Sequence, residues 1–218
     1  MVIIRKSTED EMILNFLKGE LNSIRFNKKL QGILNSQNIN DDIIINGDTN
    51  SIEENELRKK IMKSFRGYPT KELFENFPKN IEWFFVKFDK TDFDNIYYIN
   101  YDYWNELSNN TSKPIEAAKN IRKGIEIYDV PNKPFIDGEK TLETKKFPPI
   151  ILLTCNKEKY LIVEGHSRMT IYGLNPDKFI NTYGYIGICT KEEMEKYDKR
   201  MIENRWYNEN RRFKNKIW

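Results

Sequence analysis

Apolar positions near the start of the chain recur at helical intervals. Thr8 and Glu11 make a capping-box pair, and Ile13, Phe16, Leu17, Leu21 and Ile24 follow on one face. That pattern predicts a helix from about residue 9 towards residue 30 with its stripe against a core. Ser51 and Glu54 repeat the pair, and Leu57, Ile61, Met62 and Phe65 form the buried stripe of a second helix, which Gly67 and Pro69 stop. Between them, residues 37–50 are rich in Asn and Asp around Ile43, Ile44 and Ile45. This reads as an exposed loop carrying one brief strand or docking segment.

The pattern changes after Pro78. Residues 82–88 have the β-branched and aromatic density of a strand, and residues 96–99 read as its neighbour. A helical turn is expected over 101–107, and a polar loop over 108–112. Pro114 then opens a short helix carrying Ile115, Ala118 and Ile121 and ending at Gly124. Residues 129–146, with Pro131, Pro134 and Gly138, read as an inserted hairpin or loop. The apolar run 150–155 is a buried strand, 160–163 its returning partner, 168–174 a helix, and 183–189 a further strand. Thr190 caps a charged helix whose apolar contacts include Met194, Tyr197 and Met201. Together these elements predict an α+β fold: a small mixed sheet with helices packed around it. A helical lobe spans 1–78, an α+β domain with a basic C-terminal helix spans 79–218, and the two form one cooperative unit.

Composition narrows the class. Apolar residues make up 39% and aromatic residues 13% of the 218 residues, enough to pack a core and to exclude disorder throughout. No apolar run approaches the roughly 18 residues of a membrane span, and the start lacks the apolar centre of a secretory signal. A cytoplasmic protein without a membrane partner is expected. Cys155 and Cys189 each sit in an apolar run and form no CxxC pair, so they read as small core residues, and no metal site is expected. The net charge of +3 demands no nucleic-acid partner by itself. Its distribution is uneven, because residues 196–218 hold eight Lys or Arg against three acids. Trp206, Tyr207, Phe213 and Trp218 are interleaved with them. This mixture of cations and rings suits phosphate backbones or single strands, and also an amphipathic surface helix.

The chemistry concentrates at Glu164-Gly165-His166-Ser167-Arg168. A strand ending at Val163, a glycine directly after it and a polar helix start point backbone N–H groups at an anion. Gly165 allows close approach, Ser167 offers a hydroxyl donor, and Arg168 offers a forked pair of charged donors. His166, the only histidine of the chain, is a candidate neutral donor, proton shuttle or cation, and Glu164 could orient it or coordinate a nucleotide-bound metal. A turn with a helix cap would need the same residue types, and both readings stay open on spacing alone.

The run from Lys159 to Tyr172 resembles the second motif of the ParB and sulfiredoxin-like superfamily, in which an aliphatic strand enters a Gly-Glu-Arg-Arg helix start. The helix after Pro114 and the strand after Pro149 resemble the family's preceding elements, so the likeness covers residues 104–174. It implies a corner that binds a nucleoside triphosphate, with or without Mg²⁺, at Gly165, Ser167 and Arg168. It also places a first nucleotide-contacting box at Thr111, Ser112 and Lys113. His166 stands where sulfiredoxins carry their cysteine, so reductase chemistry is not implied. Ser167-Arg168 replaces the double arginine of the DNA clamps. The kinase pattern, an acid followed by Gly-His-His-Arg, is the nearest, and bacterial and phage-associated members with a Trp-Asn-Glu-Leu-Ser segment are similar too. Two readings follow. In one, a nucleotide or other phosphate ligand binds the corner for phosphoryl transfer or phosphodiester cleavage, with His166 and Glu164 as catalytic groups. In the other, the chain is a non-catalytic, DNA-associated regulator of a mobile genetic element.

Overall fold

The computed structural model describes residues 1–23 and 25–199. One mixed six-stranded sheet runs in the order β1 (Val2–Lys6), β2 (Glu82–Phe88), β6 (Thr182–Ile188), β4 (Ile150–Thr154), β5 (Tyr160–Glu164), β3 (Ile96–Tyr98). Strands β1–β2, β2–β6 and β4–β5 are antiparallel, whereas β4–β6 and β3–β5 are parallel. Every residue of β4 is buried, as a strand covered on both faces must be.

Side-chain alternation along the central strands sends residues into two cores. Ile151, Leu153, Leu161 and Val163 enter the first, beside helices α1 (Glu9–Leu21), α2 (Asn27–Ser36), α3 (Asp42–Ile45) and α4 (Ile52–Arg66). Ile150, Leu152, Tyr160 and Ile162 enter the second, beside α5 (Asp102–Leu107), α6 (Pro114–Arg122), α7 (Lys133–Thr141) and α8 (His166–Leu174). The last described helix, α9 (Lys191–Asp198), starts at a Thr190/Glu193 capping box and sends Met194 and Tyr197 into the first core. The architecture agrees with the expected mixture of helices and a mixed sheet. No helix among the described residues is long and apolar enough to cross a membrane.

Several local expectations need correction. Residues 2–6 form an edge strand whose side chains are all exposed, so no alternation marks it in the sequence. The first helix ends at Leu21 and the chain resumes as α2 at Asn27, so the single helix expected towards residue 30 is two. Residues 42–45 form α3 rather than a strand, with Ile44 buried. Arg58, fully buried, pins that segment by donating to Ile43 O at 2.8 Å, Asp48 O at 2.7 Å and Asn55 Oδ1 at 2.5 Å. The strand at 96–98 pairs in parallel with β5, far across the sheet from the 82–88 strand expected beside it. The expected hairpin contains α7, whose Gly138 lies against Ile171 of α8. The basic tail with Met201, Trp206, Tyr207, Phe213 and Trp218 lies outside the described residues.

Candidate functional site

Strand β5 ends at Glu164, and Gly165 turns the chain into α8 with φ 110°, a left-handed conformation that strains any side chain. A Cβ there would also lie 2.9 Å from Ile150 Cγ2. Gly165 O accepts from Met169 N at 2.8 Å, and no side chain caps the helix. The first N–H groups of such a helix have no intrahelical acceptor and carry partial positive charge. Ser167 is exposed at the same turn.

Arg168 does not extend into solvent. Its Nη1 donates to Pro148 O at 2.6 Å and Pro149 O at 2.7 Å, and its Nη2 forms an ion pair with Glu164. The guanidinium therefore braces the corner against the segment entering β4. Burial, the largest influence, lowers its pKa to about 10, with Glu20 opposing that shift. The Glu164 carboxylate is spent on the same brace, so neither group is a free ligand donor in this arrangement.

His166 opens α8 with its ring stacked near Trp104 (centroids 5.6 Å apart) and Tyr98 (5.9 Å). The residue is half-buried, but its Nε2 is sealed from solvent and lacks a hydrogen-bond partner among the described residues. Burial, followed by the charges of Arg25 and Arg66, lowers its pKa to about 3. The imidazole is thus neutral around neutrality, which fits the neutral donor among the roles open from sequence and not the cation. Tyr98 anchors the stack: its hydroxyl lies 2.6 Å from Thr170 Oγ1, which donates to His166 O at 2.8 Å.

The first core's helices form the opposite wall. Helix α1 passes so close that a Cβ at Gly19 would lie 3.3 Å from Glu164 Oε1 and 3.4 Å from Arg168 Nη2. Asn15 donates to Pro149 O at 3.1 Å, the same carbonyl that Arg168 holds. Glu20, 5% exposed, is kept protonated to higher pH by its burial, against the pull of Arg66, Arg25, Arg168 and Lys29. Arg66, the last residue of α4, stands 3.9 Å from Glu20 and over the Phe26 ring at 4.7 Å, and its Nε is buried without a hydrogen bond. Arg25 covers Phe26 at 4.5 Å, and Lys29 donates to Phe65 O at 2.8 Å.

Thr111, Ser112 and Lys113 lie beside β3, where Ser112 O accepts from Tyr98 N at 2.8 Å. Thr111 Oγ1 donates to Ser108 O at 2.7 Å, and the Lys113 ammonium bonds Asp94 O and sits 3.7 Å over the Tyr97 ring. The loop thus touches the strand that carries Tyr98, with its own polar groups bonded locally.

Glu20, Arg25, Lys29 and Arg66 join the site's surroundings only through the fold. A signal for Glu20 was present, since it falls one turn after Phe16 on the apolar stripe of α1, where a carboxylate needs a partner. Among the described residues, no group of three or more His, Cys, Asp or Glu is placed to hold a metal. Two open clefts of about 410 and 390 Å³ flank Glu9, one lined by Lys79–Trp83 and the other by Lys59, Lys60 and Lys63 among others, and neither involves the corner. Comparison with protein-family models, curated proteins and solved structures finds no match to this chain.

Proposed function

We propose that the chain binds a phosphate-bearing ligand, in the first instance a nucleotide, at the turn from β5 into α8. One observation carries the reading: an uncapped helix start behind left-handed Gly165 lies beside a sealed His166 Nε2 that has no partner among the described residues. Buried polar atoms rarely stay unpaired, because each costs about 1–3 kcal/mol, so such an atom at an anion-attracting helix start favours a ligand there. The resemblance of residues 159–172 to the ParB and sulfiredoxin-like motif supports the same place and ligand class.

In this reading, backbone N–H groups of the first α8 turn and the Ser167 hydroxyl receive phosphate oxygens, and neutral His166 contributes one hydrogen bond. Arg168 and Glu164 hold the turn in shape. Phosphoryl transfer would further require the acid–base pair His166 and Glu164 to be released from its present engagements; binding does not. Adding nucleoside triphosphates with and without Mg²⁺ should raise the melting temperature of the full chain, by about 2.7 kcal/mol of stability at a hundredfold excess over Kd. The rise should be smaller in His166→Ala, compared against that variant's own baseline. Indifference of the wild-type chain to every nucleotide would remove the proposal.

A further inference from the structure

Cys155 and Cys189, the only two cysteines of the chain, read from the sequence as separate core residues. The sheet makes them neighbours. Strands β4 and β6 run parallel in a register from Ile150↔Gly184 to Thr154↔Ile188, and the next pair in that register is Cys155 and Cys189. Hydrogen bonding carries the register this one step further, because Cys189 N donates to Thr154 O at 3.0 Å, the bond that a parallel pairing of the two cysteines requires. Both side chains fall on the same face of the sheet: Cys189 belongs to the first core and Cys155 packs against it. Adjacent strands lie about 4.8 Å apart, inside the roughly 4.4–6.8 Å between Cα atoms that a disulfide spans. Both residues are free thiols here.

The two thiols differ in access. Cys155 is half-buried and opens onto the exposed turn 156–158, so a small oxidant can reach its sulfur. Cys189 is 8% exposed and its Sγ donates to Thr154 O at 3.7 Å. Burial, followed by the nearby Glu193 and Cys155, pushes the Cys189 thiol up to about 12, so it stays protonated and unreactive until a neighbouring sulfur becomes electrophilic. We propose that the pair is a reversible oxidation site, in which a peroxide oxidises Cys155 and Cys189 resolves it to an intramolecular disulfide. In the first step the Cys155 sulfur attacks a peroxide oxygen; the S–O bond forms, the O–O bond breaks, and the departing hydroxide takes the thiol proton to become water. In the second, the Cys189 sulfur attacks Cys155 sulfenic acid; the S–S bond forms, the S–O bond breaks, and the leaving hydroxide takes the Cys189 proton as a second water. Two electrons pass from the sulfurs to the peroxide. The bond would fasten the turn entering β5 to the start of α9, independently of any ligand at the Gly165 corner.

The test exposes the full chain, reduced and freed of reductant, to hydrogen peroxide under native conditions, then alkylates it in denaturant and weighs it by intact mass spectrometry. Wild type should lose the mass of two hydrogen atoms, take up no alkyl group, and yield a peptide joining Cys155 to Cys189. Dithiothreitol should restore two alkylatable thiols. Oxidation in urea should join them more slowly, because the unfolded chain no longer holds the sulfurs side by side. Cys189→Ala should stop after the first step, with one oxygen on Cys155 that dimedone captures. Cys155→Ala should leave Cys189 an unmodified thiol at the same peroxide dose. Wild type that gains oxygen on Cys155 without the joining peptide overturns the pairing, as does a disulfide formed only between two chains. Oxidation of Cys189 in Cys155→Ala as fast as in wild type overturns the order of attack. Two thiols still alkylatable after peroxide overturn the site altogether, and this wild-type measurement decides even where a variant does not fold.

Discussion

His166 carries a cost that pH should expose. In the unfolded chain its imidazole takes a proton near the ordinary value of 6.5, whereas burial and the Arg25 and Arg66 charges hold it to about 3 in the fold. Between those values the unfolded state binds more protons, so stability should fall as pH drops from about 6.5 towards 3, at up to about 1.4 kcal/mol per pH unit. Glu20, whose carboxyl is raised by burial, acts in the opposite sense above the ordinary carboxylate range, so the histidine is isolated by difference. Denaturant titrations of wild type and His166→Asn across this window should give a flatter profile for the variant. Parallel profiles would mean that the imidazole charges freely in the folded protein. The neighbouring Arg168 shows the limit of reading letters: Gly-His-Ser-Arg announces donors, but Arg168 spends its donors on Pro148 and Pro149, carbonyls 20 and 19 residues earlier in the chain. Spacing carries no trace of that partner.

At the level of elements, helices with strong punctuation were legible. Ser51, Glu54 and Gly67 bracket α4, and Pro114 opens α6, because caps are local chemistry. Strand β1 was not legible, since an edge strand with all five side chains exposed lacks the apolar alternation that burial imposes. The parallel pairing of β3 with β5 was hidden for another reason: partners in a sheet are chosen by topology, and neighbours in sequence are only the commonest choice. Close helix packing gives a prediction at this scale. Gly173 of α8 lies against α6, where an added Cβ would meet Pro114 O at 2.6 Å and Ala118 Cβ at 3.0 Å. Gly173→Val should therefore cost about 1–3 kcal/mol by forcing the helices apart, seen as a lower denaturation midpoint. An unchanged midpoint would show that α6 and α8 can separate freely.

For the whole molecule, the N-terminal helices and the sheet are one construction. Met12, Phe16, Ile61 and Phe65 share a core with Ile151, Leu153, Leu161 and Val163, and β1 contributes a strand to the sheet itself. Far-UV and near-UV circular dichroism should accordingly report one coincident thermal transition, and a chain lacking residues 1–78 should be insoluble, because the sheet face it covers is apolar. Two separate transitions, or a soluble folded fragment, would make the N-terminal part an independent domain.

By itself the sequence determined the class of fold, the placement of most helices and the turn from strand into helix at Gly165, since these depend on periodicity, caps and a glycine within a few residues. Only the tertiary structure decided what surrounds that corner. Arg25 and Arg66 act on His166 from a hundred or more residues away in the chain, because two helices packed on the sheet's opposite face end beside it. Long-range packing sets which charges meet and what they leave unpaired, and no local pattern records it.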